Sequence, residues 1–192
     1  MKQIYFATKN KGKVASVSAT LAKYGIEVVH IEKDLPEPRS DDLRKIAREK
    51  VIAAYKDIKK PVIAIDSGFY IHSLNGFPRA FVNFVLETVG IAGILRLVKG
   101  QSRECEFRSC LAYYDETLTE PLFFESTTEG ILSKKALGKI PKYAWSELFL
   151  IFIPEGEEKT LAQMPEEEYE NWREKRRVSS FAAKFAEWYI EK

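Results

Sequence analysis

Thr8, Asn10 and Lys13 stand where an apolar run, Ile4 to Ala7, gives way to polar, amide-bearing and cationic side chains. The chemistry such a set can do is to hold an anion. Val14, Val17, Leu21 and Ala22 then recur at helical spacing, so the set lies where a strand ends and a helix begins. Helix starts carry free N–H donors, to which a hydroxyl and an amide add hydrogen bonds. Lys11 and Lys13 would neutralise charge on phosphate oxygens. The plainer alternative is a helix cap followed by a solvated lysine face.

A divalent cation bound to phosphate needs hard oxygen ligands, and carboxylates fall near predicted strand ends in two places. One is Asp66, which closes the apolar run Pro61 to Ile65 and precedes Ser67-Gly68, where backbone can approach a ligand. The other is the group Glu37, Asp41 and Asp42, with Glu37 held between Pro36 and Pro38 in an extended loop. The alternative for Asp66 is a turn or cap aspartate. Lys50 falls on a helix, where a lysine is ordinarily solvated. His30 and His72 have no partnered Ser or Cys motif and are assigned no catalytic part. The run Arg173-Glu174-Lys175-Arg176-Arg177 reads either as a solvated helix face or as a phosphate or nucleic-acid contact.

The elements that must position these residues alternate. Strands are predicted over 4–7, 26–31 and 61–65, and helices over 11–24 and 42–58, the second on a stripe of Leu43, Ile46, Ala47, Val51 and Ala54. A short strand follows over 69–71, then a turn over Leu74 to Pro78, then one or two helices over 80–98 broken near Gly90. Residues 104–114 and 122–128 are aromatic and β-branched and predict two antiparallel strands of a second, smaller lobe. Residues 130–132 and 148–153 return to the sheet, and 166–191 is mostly helix. The expected fold is α/β: one domain over 1–192 with two lobes, a mixed central sheet flanked by helices, an antiparallel-rich smaller lobe and a ligand cleft between lobes.

Composition narrows the function classes. A chain of 192 residues, 45% hydrophobic, suffices for a continuous core. Thirty basic residues against 28 acidic ones give a formal charge of +2, which argues against broad electrostatic binding to nucleic acid. No run approaches the roughly 20 apolar residues a membrane span needs, and no signal peptide is evident, so a cytoplasmic protein is expected. Cys105 and Cys110 have neither a second Cys pair nor a nearby His to complete a zinc site, and read as reduced thiols.

Taken together, Thr8-x-Asn10-x-x-Lys13, Leu35-Pro36-Glu37, Asp66-Ser67-Gly68 and Leu74-Asn75-Gly76-x-Pro78 resemble the inosine triphosphate pyrophosphatase family. Phe152-x-Pro154-x-Gly156 and Lys159-Thr160-x-Ala162 resemble its later strand and loop. The resemblance implies a two-lobed, usually homodimeric enzyme that hydrolyses non-standard purine triphosphates, ITP, XTP or dITP, to the monophosphate and pyrophosphate with Mg2+. On that basis Thr8, Asn10, Lys13 and Lys50 would hold the triphosphate, with backbone donors from Ser67 and Gly68. Glu37 and Asp66 would bind the metal, with Asp66 also polarising the attacking water and Lys13 assisting catalysis.

The sequence departs from the family pattern at four places. Ile65 stands where a Glu usually precedes the Asp, and Arg79 where a Gly follows Pro78. Tyr143-Ala144-Trp145-Ser146-Glu147 replaces an aromatic-Gly-aromatic-Asp-Pro segment that helps hold the base, and Arg173-Glu174-Lys175 replaces the Ser-His-Arg that recognises the 6-oxo purine. Trp145, Glu174 and Lys175 become the candidate base contacts. Altered base selectivity is the first expectation. A non-catalytic nucleotide-binding relative is the second, and a nucleic-acid module using residues 173–177 the third.

Overall fold

A computed structural model describes residues 2–36 and 38–192, so Glu37 lies outside the described residues. The strands are β1 (Lys2–Ala7), β2 (Ile26–Ile31), β3 (Val62–Ile71), β4 (Pro78–Arg79), β5 (Glu104–Tyr114), β6 (Leu122–Leu132) and β7 (Phe152–Pro154). The helices are α1 (Lys11–Ala22), α2 (Leu43–Ile58), α3 (Val82–Thr88), α4 (Gly90–Leu97), α5 (Glu166–Arg176) and α6 (Phe181–Glu191). The sheet order is β2-β1-β3-β5-β6-β7, with β4 paired to β3. It is mixed: β1 runs parallel to β2 and β3, whereas β4 on β3 and β7 on β6 are antiparallel.

The chain divides into two compact units. The first comprises residues 1–67, 109–126 and 177–192, and the second 68–108 and 127–176. The middle of the expected smaller lobe, from Ser109 to Ser126, thus belongs to the first unit. In that unit Ile4, Phe6, Val17, Leu21, Ile63, Ile65, Tyr113 and Phe185 form one apolar cluster. Each such side chain taken from water contributes about 1.5–3 kcal/mol. In the second unit Phe69, Ile94, Phe107, Phe149 and Phe152 anchor a separate cluster. Cys105 and Cys110 are buried free thiols, and burial pushes Cys110 up to about 12.

Local chemistry accounts for the boundaries. Asp42 caps α2 by accepting from the Arg44 and Lys45 backbone N–H groups on Oδ1. The expectation that β3 stops at Ile65 is corrected: the strand runs on through Asp66, Ser67 and Gly68 to Ile71. The reason is β4, whose Pro78 and Arg79 pair with Tyr70 and Phe69 and hold that stretch extended. Gly68 is required there because a Cβ would lie 2.8 Å from the Arg79 carbonyl oxygen. In the same way 130–132 is the end of β6 rather than a separate strand, and Gly130 admits the Ile153 carbonyl at a distance no Cβ tolerates.

Candidate active site

The first unit assembles the expected phosphate-binding residues from three elements. The parallel register Phe6↔Ile63 carries the end of β1 alongside Ala64 and Ile65, so Thr8 leaves the sheet next to the stretch of β3 that holds Asp66. Ile31 pairs with Ala7, which delivers the loop after β2 to the same edge. Carboxyl ends of parallel strands are where open α/β sheets receive ligands.

Hydrogen bonds fix the β1–α1 junction. The Asn10 N–H donates to Thr8 Oγ1 at 3.1 Å, and Asn10 Oδ1 accepts from the Lys13 N–H at 2.9 Å. His30 Nε2 lies 2.8 Å from the Thr8 carbonyl oxygen, and the Thr8 N–H donates to Ile31 O at 3.1 Å. Thr8 Oγ1 and Asn10 Oδ1 are therefore engaged in shaping the loop, which carries Lys13 on the first turn of α1. Lys9, on the same loop, pairs with Asp34 at 2.6 Å.

The structure brings Lys50 and Asp66 together. Lys50 Nζ donates to Asp66 Oδ1 at 2.7 Å, and each side chain is 11% exposed. Lys50 is on the inward stripe of α2 with Leu43, Ile46, Ala47, Val51 and Ala54, all buried. That periodicity was the available signal: 43, 46, 47, 50, 51 and 54 share one helical face, and a lysine on it must meet an anion. Along β3 the neighbours of Asp66 do other work. Ile65 belongs to the apolar cluster, and Ser67 Oγ is 3.0 Å from Ser109 Oγ. Ser109 is a further residue of this edge that no sequence motif marked.

The remaining candidates lie in the second unit. Trp145 packs against Phe107 and Phe149, with ring centroids 4.8 and 5.5 Å away, and hydrogen-bonds the buried Tyr169 hydroxyl. Burial pushes that hydroxyl up to about 12. Tyr143 stacks on Tyr169 at 4.4 Å and donates to the Met164 carbonyl. Glu174 and Lys175 are exposed on the last turn of α5. Lys175 and Trp172 line a depression of about 400 Å³ with Glu157, Glu167 and Glu168. Three carboxylates in that lining disfavour a phosphate.

The β1–α1 junction and the Lys50–Asp66 pair define an α/β protein with a charged site at the carboxyl edge of its parallel strands. The chain belongs to the Ham1 family, whose model matches residues 4–183. The dITP/XTP pyrophosphatase of Methanopyrus kandleri is 36% identical over 97% of this chain and 96% of its own length. That of Saccharolobus solfataricus is 32% identical, covering 96% of this chain and 94% of its own. The fold is that of solved Ham1 proteins: the Coxiella burnetii structure matches with TM-score 0.80 over 100% of both chains at 20% identity. The Staphylococcus aureus structure gives 0.75 over 99% of this chain and 98% of its own, at 23% identity.

Proposed function

We propose that this protein is a Mg2+-dependent nucleoside triphosphate pyrophosphatase that cleaves a non-standard purine triphosphate to the monophosphate and pyrophosphate, with base selectivity altered from that of its relatives. The observation that carries this reading is the buried Lys50–Asp66 pair beside the capped β1–α1 junction, in a chain whose relatives are named dITP/XTP pyrophosphatases. Cations of Lys13 and Lys50 offset the charge of the triphosphate, and the junction's donors orient it. Asp66 is a hard-oxygen ligand nine-tenths buried at the strand edge, and with Glu37 it would hold the metal. Bound there, Mg2+ would withdraw charge from the phosphate oxygens. The Asp66 carboxylate also orients water for attack on the α-phosphorus. Trp145, Glu174 and Lys175 supply the base end, which lacks the pattern that reads a 6-oxo purine. A homodimer working in the cytoplasm completes the reading, and no helix of the described residues is long and apolar enough to cross a membrane.

Purified protein with Mg2+ should release pyrophosphate from at least one of ITP, XTP, dITP, dUTP and the common triphosphates. Release from none of them overturns the proposal. A second reading, a nucleotide-binding relative without turnover, draws on Ile65 filling an apolar site where a carboxylate is usual. Tight nucleotide binding with no product would establish it.

A further inference from the structure

Between β6 and β7, residues 133–146 carry four lysines, Lys134, Lys135, Lys139 and Lys142, and no acidic residue. The whole chain balances 30 basic residues against 28 acidic ones, so this segment is a local departure from near-neutrality. All four lysines are exposed. Among the described residues none of their ammonium groups has an ion-pair or hydrogen-bond partner, whereas Lys9, Lys33, Lys159 and Lys192 each hold a carboxylate. The backbone beneath them is pinned. The Ser133 N–H donates to Ile151 O and the Leu137 N–H to Leu150 O, both at 2.8 Å. Ser133 Oγ donates to the Lys135 carbonyl at 2.6 Å, and Thr160 Oγ1 to the Leu137 carbonyl at 3.3 Å. Like charges are thereby kept on one anchored segment, and a polyanion laid across it relieves their repulsion.

We propose that residues 134–142 are a docking surface for the phosphate backbone of a nucleic acid, bound without regard to base sequence. Length favours a strand over a free nucleotide. The chain from Lys134 to Lys142 spans at most about 29 Å. A nucleic-acid strand, at about 3.4 Å per phosphate, places about eight phosphates along that distance, whereas a triphosphate gathers its charge at one point. Residues 133–146 contain no Arg, Asn, Gln, Asp or Glu, the side chains that read base edges most specifically. Contact is therefore with phosphates, which position a protein and carry no sequence information. A lipid surface fits less well, because an interfacial anchor is an amphipathic helix. No helix forms across 133–146, and Ile140 alone of its large apolar side chains is exposed. The net charge of +2 excludes a protein that is basic all over, and leaves room for one basic segment.

The test is fluorescence anisotropy of labelled DNA duplexes of about 20 base pairs, in two unrelated sequences, titrated with the full chain. No triphosphate or Mg2+ is present, so the outcome is independent of the proposed hydrolysis. The wild type should bind both duplexes alike. Its log affinity should fall against log salt with a slope of about −3 to −4, a loss of about a hundredfold between about 50 and 200 mM. Each single Lys→Gln substitution should reduce the slope by about one. Lys134→Gln, Lys135→Gln, Lys139→Gln and Lys142→Gln combined should abolish binding, whereas the four Lys→Arg changes combined should preserve it. Binding that persists in the fourfold Gln variant, or a wild-type slope shallower than about −1.5, overturns the proposal. So does a strong preference between the two sequences, or binding lost instead when Arg173, Arg176 and Arg177 are replaced. Adsorption to phosphatidylserine vesicles with no binding of duplex overturns it in favour of a membrane surface.

Discussion

The two units treat their candidate residues differently. In the first, the polar groups are held by other polar groups: Asn10 caps α1, His30 holds the Thr8 carbonyl, and Lys50 faces Asp66 across 2.7 Å. Charge is stored there in a form that a charged ligand can take over. In the second, the aromatic candidates are held by other aromatics, with Trp145 against Phe107 and Phe149 and Tyr143 against Tyr169. They stabilise the core of the second unit. The difference teaches that the phosphate end can be tested by removing charge, but the base end only by substitutions that leave the packing intact.

The largest effect should come from Asp66→Asn. Pyrophosphate release should fall by about three orders of magnitude, because on the proposed function the metal ligand and the water-orienting carboxylate are lost together. The substitution also breaks the buried Lys50–Asp66 pair, and breaking such a pair costs about 3–5 kcal/mol, so the thermal midpoint must be followed alongside. Lys13→Ala should lower turnover about a hundredfold for every nucleotide alike, since it acts on phosphate. Glu174→Gln, by contrast, should change the ratio of rates between ITP and the common triphosphates by about tenfold while leaving stability unaltered, as an exposed α5 residue allows. If Lys13→Ala shifts base preference, or Glu174→Gln lowers all rates equally, the division between the two ends is wrong.

A second buried carboxylate in the first unit supplies the contrast of a purely structural charge. Asp115 accepts from the Tyr113 hydroxyl at 2.6 Å, from Thr117 and from Lys192. Burial alone would raise its carboxyl, but the hydrogen bonds from Lys192, Tyr113 and Thr117 outweigh burial and hold it down to about 2. A carboxyl lowered on folding contributes stability above its unfolded value near 3.8 and loses it as pH falls through about 2. Acid titration of unfolding between those limits should show a loss of about 2 kcal/mol from this group. Asp115→Asn should abolish that segment of the profile and leave turnover at neutral pH unchanged, the reverse of Asp66→Asn.

The smallest effect concerns Arg79, which takes φ of +56° where the family pattern has glycine. A left-handed backbone costs a non-glycine residue about 1 kcal/mol. Arg79→Gly should therefore raise stability by about 0.5–1 kcal/mol, offset in part by the lost hydrogen bond to the Asn75 carbonyl, and should not touch catalysis.

Local signals carried much of this into the sequence. The start of α2 near residue 42, its apolar stripe and the strand 26–31 were legible because their causes lie within a few residues, whereas Asp42 itself read as a metal carboxylate and not as a cap. What was not legible depended on partners far along the chain. Asp66-Ser67-Gly68 reads as a strand end by composition, and only the pairing of β4 with Phe69 and Tyr70 keeps it in the sheet. Lys50 reads as a surface lysine until its place on a buried stripe is counted, and its partner 16 residues away is a matter of tertiary packing. At the base end, a motif comparison marked Trp145 as a base contact but could not show that its ring and N–H already have partners within the second unit.

In the proposed reaction the charged edge of the first unit directs water to the α-phosphorus. Turnover in 18O-labelled water, with products resolved by mass spectrometry, tests it most directly. Label should appear in the nucleoside monophosphate and not in pyrophosphate, with the reaction lost in Asp66→Asn. Label in pyrophosphate or free phosphate, or turnover that survives Asp66→Asn undiminished, would contradict it.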